Sequence, residues 1–248
     1  GRIGWIFNNI YSEAGIAVGS DSIIYFTSSG TWGDSGKIYA INFDGTLKWT
    51  RRINISSTTP TVCADGTILA AGGSHLYAFN NDGTEKWRFY PLPLQRSIYV
   101  GIDGTIYSLA SEILYAIDKN GNLNWQYQTP GDWGTKFVFS PDGKTLYIYY
   151  QASGLISFDI DSKTENWRFG TGRVHAALVD SKGNININIE EGNQFKNYSL
   201  TKSGEIRWEF LHNELCFEMT MDKLGNLFFG VNALYSLDYN GQLRFSTP

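Results

Sequence analysis

The sequence predicts an all-β fold, a β-propeller of six four-stranded antiparallel blades. One eleven-residue stretch, YAINFDGTLKW at 39–49, recurs with small changes five times. The other copies lie at 77–87, 115–125, 156–167 (one residue longer), 198–208 and 235–245. A turn signal precedes every copy, and no segment shows the periodicity of a helix. Four short strands in about 40 residues, repeated along a chain, are typical of propeller blades.

Each copy reads as a hairpin. In the first copy, the alternating residues at 38–42 lead into Asp44-Gly45, and a second strand-like stretch follows. Asp-Gly or Asn-Gly between two such stretches is a strong hairpin signal, because both turn residues need positive φ. Similar turns recur at Asp82-Gly83, Asn120-Gly121, Ser203-Gly204 and Asn240-Gly241.

A second, weaker turn pattern lies upstream of each copy. It reads GSDSIIY at 19–25, CADGTIL at 63–69 and GIDGTIY at 101–107, and it returns at 140–147, 180–187 and 222–229. Each repeat is therefore predicted to hold four strands, A to D. The blades should end near residues 50, 88, 126, 168, 209 and 246, within one domain of residues 1–248.

The N-terminus carries one strand-like segment with no blade before it. Trp5 precedes Ser22 by 17 residues, the spacing that separates Trp49 from Gly66. We expect residues 1–8 to close the ring at the outer position of the last blade, because closure removes an exposed strand edge. The segment around Phe245 either lies beside it or competes for the position. Seven blades, or a piece of a longer propeller, are the alternatives.

The bulk composition excludes several classes of protein. The 248 residues are 42% hydrophobic and 15% aromatic, which is a folded composition. A net charge of −4 argues against nucleic-acid binding, and no apolar run is long enough for membrane insertion. Cys63 and Cys216 are isolated in apolar segments, so we expect buried thiols, no zinc site and no other metal site.

The repeats resemble the PQQ-like (quinoprotein-type) propeller family, with its DGTIY…LYALD..DG...W pattern, over the whole chain. The resemblance implies that the tryptophan ending each D strand packs between neighbouring blades. Trp5 is predicted to be structural in the same way. The tryptophans with this implied role are Trp49, Trp87, Trp125, Trp167 and Trp208.

The resemblance covers both quinone-dependent dehydrogenases and non-catalytic scaffolds of outer-membrane protein assembly. The dehydrogenases have eight blades, a disulfide between adjacent cysteines and a calcium site, and this sequence lacks those features. We therefore predict no cofactor and no enzymatic activity. A quinone dehydrogenase is the least favoured interpretation.

Candidate ligand-binding residues lie where the copies differ, in the loops that join strand D to the next strand A and strand B to strand C. Loops carry function more often than strands do. Two B–C loops, at 28–37 and 190–196, are predicted to be longer than the rest. Trp32 and Asp34 lie in the first, and Trp133 lies in a D–A loop. An exposed tryptophan beside Gly and Asp is typical of sugar stacking or of a partner contact.

Three cations, Arg96, Lys136 and Arg173, come from consecutive blades at similar offsets. Together they could form a cationic rim for an acidic ligand or a peptide carboxylate. Beside them, His175 starts an inner strand near the predicted channel. Its position suits either a ligand contact or a hydrogen-bonded structural role.

Glu13 and Glu214 form the one acid pair that ring closure would bring together. The favoured interpretation is a monomeric, non-catalytic binding or scaffold propeller for a protein or carbohydrate ligand. The alternative is a carbohydrate-active enzyme that uses this acid pair. We expect an extracellular, periplasmic or cell-surface location, with a leader removed before Gly1.

Overall fold

The computed structural model describes residues 4–7, 15–29, 36–54, 58–90, 95–110, 112–130, 136–150, 154–213, 215–230 and 232–247, and of residues 95–97 it describes the backbone alone. Within these ranges the regular structure is entirely β. The strands form six four-stranded antiparallel sheets. In each sheet the four strands follow one another in chain order, so the prediction of an all-β propeller with six four-stranded blades is confirmed.

The first three blades lie in one compact unit, Gly1–Thr129. The first blade contains β1 (Ala17–Val18), β2 (Ile24–Ser28), β3 (Lys37–Ile41) and β4 (Leu47–Arg52). The second contains β5 (Thr61–Val62), β6 (Ile68–Gly72), β7 (His75–Phe79) and β8 (Glu85–Phe89). The third contains β9 (Gln95–Val100), β10 (Ile106–Ala110), β11 (Ile113–Ile117) and β12 (Leu123–Gln128).

The last three blades lie in a second unit, Pro130–Pro248. The fourth contains β13 (Lys136–Phe139), β14 (Thr145–Tyr149), β15 (Leu155–Asp159) and β16 (Thr164–Phe169). The fifth contains β17 (Arg173–Val179), β18 (Ile185–Glu191), β19 (Gln194–Leu200) and β20 (Ile206–His212). The sixth contains β21 (Met219–Met221), β22 (Leu227–Phe229), β23 (Leu234–Leu237) and β24 (Leu243–Thr247). That residues 1–248 make one domain stays a prediction.

The cores lie between neighbouring blades. The two middle strands of a blade are buried on both faces, as in β6 and β10, where every residue is buried. Outer strands such as β12 alternate between exposed and half-buried side chains. This pattern follows from packing each sheet face against the next blade while the outer edge meets water.

The tryptophan of an outer strand joins its blade to the next one. The indole N–H of Trp49 donates to the backbone carbonyl of Asn81, at 2.8 Å, in the C–D turn of the second blade. The indole N–H of Trp87 donates to the Lys119 carbonyl at 2.9 Å. In the second unit the same contact recurs from Trp167 to Lys202 at 3.0 Å and from Trp208 to Tyr239 at 3.1 Å.

The C–D turn that receives an indole needs glycine for two reasons. Gly83 has φ +80°, and a Cβ built there would lie 2.6 Å from Cδ2 of Trp49. The backbone conformation and the close approach of the ring therefore both exclude a side chain. Gly121, Gly204 and Gly241 meet the preceding tryptophan in the same way.

Trp5 contacts the first blade as Trp49 contacts the second. Its indole N–H donates to the Phe43 carbonyl at 2.9 Å, and the ring lies against Gly45. Residues 4–7 belong to no strand. The outer position of the last sheet, for which the sequence offered two segments, is held by β24 with Phe245, which a tight turn joins to β23. Closure of the ring by residues 1–8 stays a prediction.

Replacing Gly83 with alanine should destabilise the protein more than replacing Gly66. Gly66 has φ +82°, but nothing lies within 4 Å of its built Cβ. Both variants incur the cost of a left-handed alanine, about 1–2 kcal/mol. Gly83→Ala additionally displaces Trp49, which should cost roughly 1–3 kcal/mol more. Urea unfolding of the two variants measures the difference in their free energies of unfolding. Equal destabilisation of the two variants would contradict the role of Gly83 in packing against Trp49.

Candidate functional site

Five of the candidate residues predicted from sequence lie outside the described residues. They are Glu13, Trp32, Asp34, Trp133 and Glu214. Arg96 lies in β9, where only the backbone is described. Lys136, Arg173 and His175 remain, and all three belong to the second unit.

A β-bulge brings His175 and Arg173 to one carboxylate. In the pairing of β17 with β18, Arg173 lies opposite Glu190 and Val174 lies opposite Ile189, and the register shifts before Ala176. His175 is the extra residue. A bulge redirects side chains near the end of a strand. As a result Nε2 of His175 lies 3.1 Å from Oε2 of Glu190, and Nη1 of Arg173 lies 4.0 Å from the same oxygen.

The second of the two long B–C loops expected from sequence is not a loop. β18 runs to Glu191 and β19 begins at Gln194, so the strands extend to a two-residue turn. Gly192 in that turn has φ +63°, as tight hairpin turns require. The prediction was wrong because a run of polar residues is not enough to make a loop: Glu190 pairs with Phe195 and Glu191 with Gln194 across two strands. Glu190 is held rigidly on a strand for this reason.

We define the His175 site as Arg173, His175, Glu190, Phe195 and Phe217. The ring of Phe217 lies edge-on to the imidazole at 5.6 Å, and that of Phe195 lies at 6.3 Å. The imidazole is buried, while Phe217 is 56% exposed. The site therefore combines a shielded histidine–carboxylate pair with an exposed aromatic edge.

Burial lowers the pKa of His175, and its hydrogen bond to Glu190 opposes that effect. The positive charges of Arg173 and Lys136 lower the pKa further. The imidazole is consequently neutral at pH 7. A neutral imidazole held by a carboxylate can accept a proton or a hydrogen bond from a ligand.

Buried polar side chains continue behind the site. Nδ2 of Asn188 donates to Oδ1 of Asn197 at 2.9 Å and lies 3.1 Å from Nε2 of His212. Asn188 Oδ1 and Asn197 Nδ2 have no hydrogen-bond partner among the described residues. This group of buried polar side chains was not predicted from the sequence. The alternation of Asn and Ile at 184–189 is the signal that could have indicated polar residues on one buried face.

The described residues were also searched for metal sites, membrane-spanning helices and disulfides. They hold no group of three or more His, Cys, Asp and Glu side chains arranged for a metal ion. They also include no helix with the length and apolar character to cross a membrane. Cys63 and Cys216 are both free thiols.

Replacing Glu190 with glutamine should lower the pKa of His175 further, because the hydrogen bond and charge that raise it are weakened. The imidazole signals of His175 in an NMR pH titration report this directly. Glu205→Gln, at an exposed turn distant in the strand register, is the matched control. An unchanged pKa in Glu190→Gln would contradict the pairing.

The lowered pKa of His175 also makes the stability of the protein depend on pH. The folded pKa of His175 lies below its ordinary value of 6.5, so the unfolded chain binds the proton more tightly. The stabilising contribution of neutral His175 is therefore complete above about pH 6.5 and is lost as the pH falls through the folded pKa. Urea unfolding at pH 7.5 and 5.5 measures how much the free energy of unfolding falls on acidification. That fall should be smaller in His175→Gln than in the parent protein. An equal fall in the free energy of unfolding in both proteins would contradict the lowered pKa of His175.

Several solved structures share the fold at low sequence identity. BamB from Moraxella catarrhalis is 14% identical with a TM-score of 0.69, over 95% of this chain and 73% of that one. Virginiamycin B lyase from Staphylococcus aureus is 18% identical with a TM-score of 0.66, over 94% of this chain and 83% of that one. The dihydro-heme d1 dehydrogenase NirN is 14% identical with a TM-score of 0.73, over 94% and 56%. At these identities the likeness concerns the fold alone.

A search of curated proteins gave no match. A scan against family models gave two overlapping matches to one model, over residues 1–135 and 109–221. The model is described as outer membrane protein assembly factor BamB, and its repeats are of the PQQ-like type predicted from the sequence. Because the matches span most of the 248 residues, the chain belongs to this PQQ-like propeller family.

Proposed function

We propose that this protein is a non-catalytic binding domain that holds an acidic segment of a partner protein at the His175 site. Membership of a family described as an outer membrane protein assembly factor is the observation that supports a protein partner most strongly. The same description supports a location outside the cytoplasm. The propeller supplies a rigid frame, and the strand and loop ends of the fourth, fifth and sixth blades supply the contacts.

The charges around the site favour an acidic segment. Arg173 is 54% exposed at its side chain, and Lys136 starts the neighbouring inner strand, where it is also exposed. Glu190 lies between His175 and Arg173, so a ligand carboxylate would meet Arg173 on its solvent side. Hydrogen bonds between guanidinium and carboxylate groups are short and strong, which suits such recognition.

Apolar contact would accompany the charge. Phe217, which is 56% exposed, lies in the D–A connection between β20 and β21, and Leu211, which is 57% exposed, lies near the end of β20. An exposed aromatic beside cations is a typical anchor for a peptide, because it buries a large area at a small entropic cost. Arg96 belongs to the first unit, where only its backbone is described, so the proposal rests on Lys136 and Arg173.

A selection of phage-displayed random peptides on the immobilised protein tests the proposal. We expect enrichment of peptides with Asp, Glu or a free C-terminal carboxylate. Affinity of a selected peptide should fall about tenfold in Lys136→Gln/Arg173→Gln, since one or two charge-assisted contacts are lost. Lys144→Gln/Lys223→Gln, which removes two exposed cations from A–B turns, is the matched control and should bind like the parent.

Two results would contradict this function. One is enrichment of no peptide above an unrelated immobilised protein. The other is enrichment of peptides that bind the two double variants equally. A parallel glycan array tests the carbohydrate ligand predicted from Trp32 and Trp133. Binding of a glycan without binding of any peptide would contradict the protein partner and favour a carbohydrate ligand.

A further inference from the structure

In several blades one face carries the outer-strand tryptophan that contacts the next blade. In the sixth blade the corresponding residue is Phe245, which pairs with Ser236, and Ser236 pairs with Phe228. Side chains two residues apart on a strand lie on the same face, so Leu234 shares this face with Ser236. We define the Phe245 face of the sixth blade as Phe228, Leu234, Ser236, Arg244 and Phe245.

The Phe245 face is more exposed than the same face of the other five blades. Leu234 is 47% exposed, whereas the residue at its position in every other blade is fully buried. These buried residues are Ile38, Leu76, Leu114, Leu155 and Asn197. Phe228 is half-buried and Phe245 is exposed. Clustered exposed apolar side chains of this kind mark a surface that contacts another molecule.

The fifth blade shows what such a face receives. A β-bulge in β20 places Arg207 and Trp208 together opposite Ser199. Nη1 of Arg207 donates to Oγ of Ser199 at 2.7 Å, and Nη2 donates to the Tyr239 carbonyl at 3.3 Å. The Trp208 indole donates to the same carbonyl, and the Arg207 guanidinium lies over the Tyr239 ring at 4.2 Å. This face therefore holds a C–D hairpin turn by one carbonyl and one aromatic ring.

The Phe245 face repeats the groups that hold this turn. A bulge in β24 places Arg244 and Phe245 opposite Ser236, and Nη1 of Arg244 donates to Oγ of Ser236 at 2.9 Å. The guanidinium lies 5.9 Å from the ring centroids of both Phe228 and Phe245. Because phenylalanine has no N–H, Arg244 is the residue that can donate to a turn carbonyl, as Arg207 does in the fifth blade. The Phe245 face therefore suits a hairpin turn of the same kind.

A hairpin that fits this face needs a glycine in its turn. A Cβ built at Gly241 would lie 2.5 Å from Cδ2 of Trp208, and the ring of Phe245 calls for an equally close approach. The five described C–D turns with such a glycine each have an indole against it already. The glycines are Gly45, Gly83, Gly121, Gly204 and Gly241, and the indoles belong to Trp5, Trp49, Trp87, Trp167 and Trp208. Neither this chain nor a second copy of it therefore offers a free turn of this kind among the described residues.

We propose that the Phe245 face binds a β-hairpin of a partner protein. The turn of this hairpin has a glycine at positive φ, two residues after an aromatic residue whose carbonyl accepts a hydrogen bond from Arg244. The aromatic ring lies under the guanidinium, as in the fifth blade, and Phe228, Leu234 and Phe245 supply the apolar contact. The surface shares no residue with the His175 site, so the two can be tested separately.

Titration of the isotopically labelled protein with a cyclic peptide tests the proposal by NMR. The peptide contains residues 234–245, LYSLDYNGQLRF, closed by D-Pro-Gly, so it presents the turn that the fifth blade receives. We expect saturable shifts of the backbone amides of residues 227–230, 234–237 and 243–247. The same peptide with Gly241→Ala should bind about tenfold more weakly, because its added Cβ would meet the Phe245 ring.

Variants of the protein separate the Phe245 face from nonspecific binding. Leu234→Asp should abolish the saturable shifts, because it places a carboxylate among the apolar contacts. Arg244→Gln should weaken binding about tenfold, since one charge-assisted hydrogen bond is lost. Ile206→Asp makes the same change at a similarly exposed residue of the fifth blade. It is the matched control and should bind the peptide like the parent protein.

Four results would overturn the proposal. Two of them concern the peptide: no saturable shifts in the parent protein, or equal binding by Leu234→Asp and Ile206→Asp. The other two identify a different occupant of the face. Nuclear Overhauser contacts from the Leu234 methyl groups to residues 1–129 would show that this chain covers the face itself. A concentration-dependent dimer in analytical ultracentrifugation that Leu234→Asp removes would show that a second copy covers it.

Discussion

The contact between an outer-strand indole and the C–D turn of the following blade determines how the blades of each unit pack. It has two parts, a hydrogen bond from the indole N–H to a turn carbonyl and the close approach of the ring to a glycine. Trp49 at Asn81 and Gly83 shows both parts. The glycine has positive φ, so the backbone of the turn and the packing of the ring depend on the same residue. The repeated motif is therefore explained by the fold.

This constraint separates structural residues from candidate functional ones. Since the indoles and turn glycines serve the same purpose in several blades, chemistry specific to this protein must come from positions where the blades differ. The bulge at His175 is one such position. The bulge brings His175 and Arg173 to the carboxylate of Glu190.

Much of the fold was predictable from the sequence, because propeller blades are built from local hairpins. Asp82-Gly83 and its equivalents mark turns that need only neighbouring residues to be recognised. The His175 site was less accessible to prediction. Its bulge depends on the register of two strands, which the sequence of one strand does not specify. The extension of β18 to Glu191 is hard to recognise because residues 190–194 are all polar or glycine.

Exchange of the indole N–H protons with solvent, followed by NMR, tests the central claim most directly. The account predicts that the indole protons of Trp49, Trp87, Trp167 and Trp208 exchange more slowly in the folded protein than in urea, because each is hydrogen-bonded to a turn carbonyl. The indole proton of Trp49, the most deeply buried of the four, should exchange slowest. Exchange of all four at the rate of the unfolded chain would contradict the claim that these contacts join the blades.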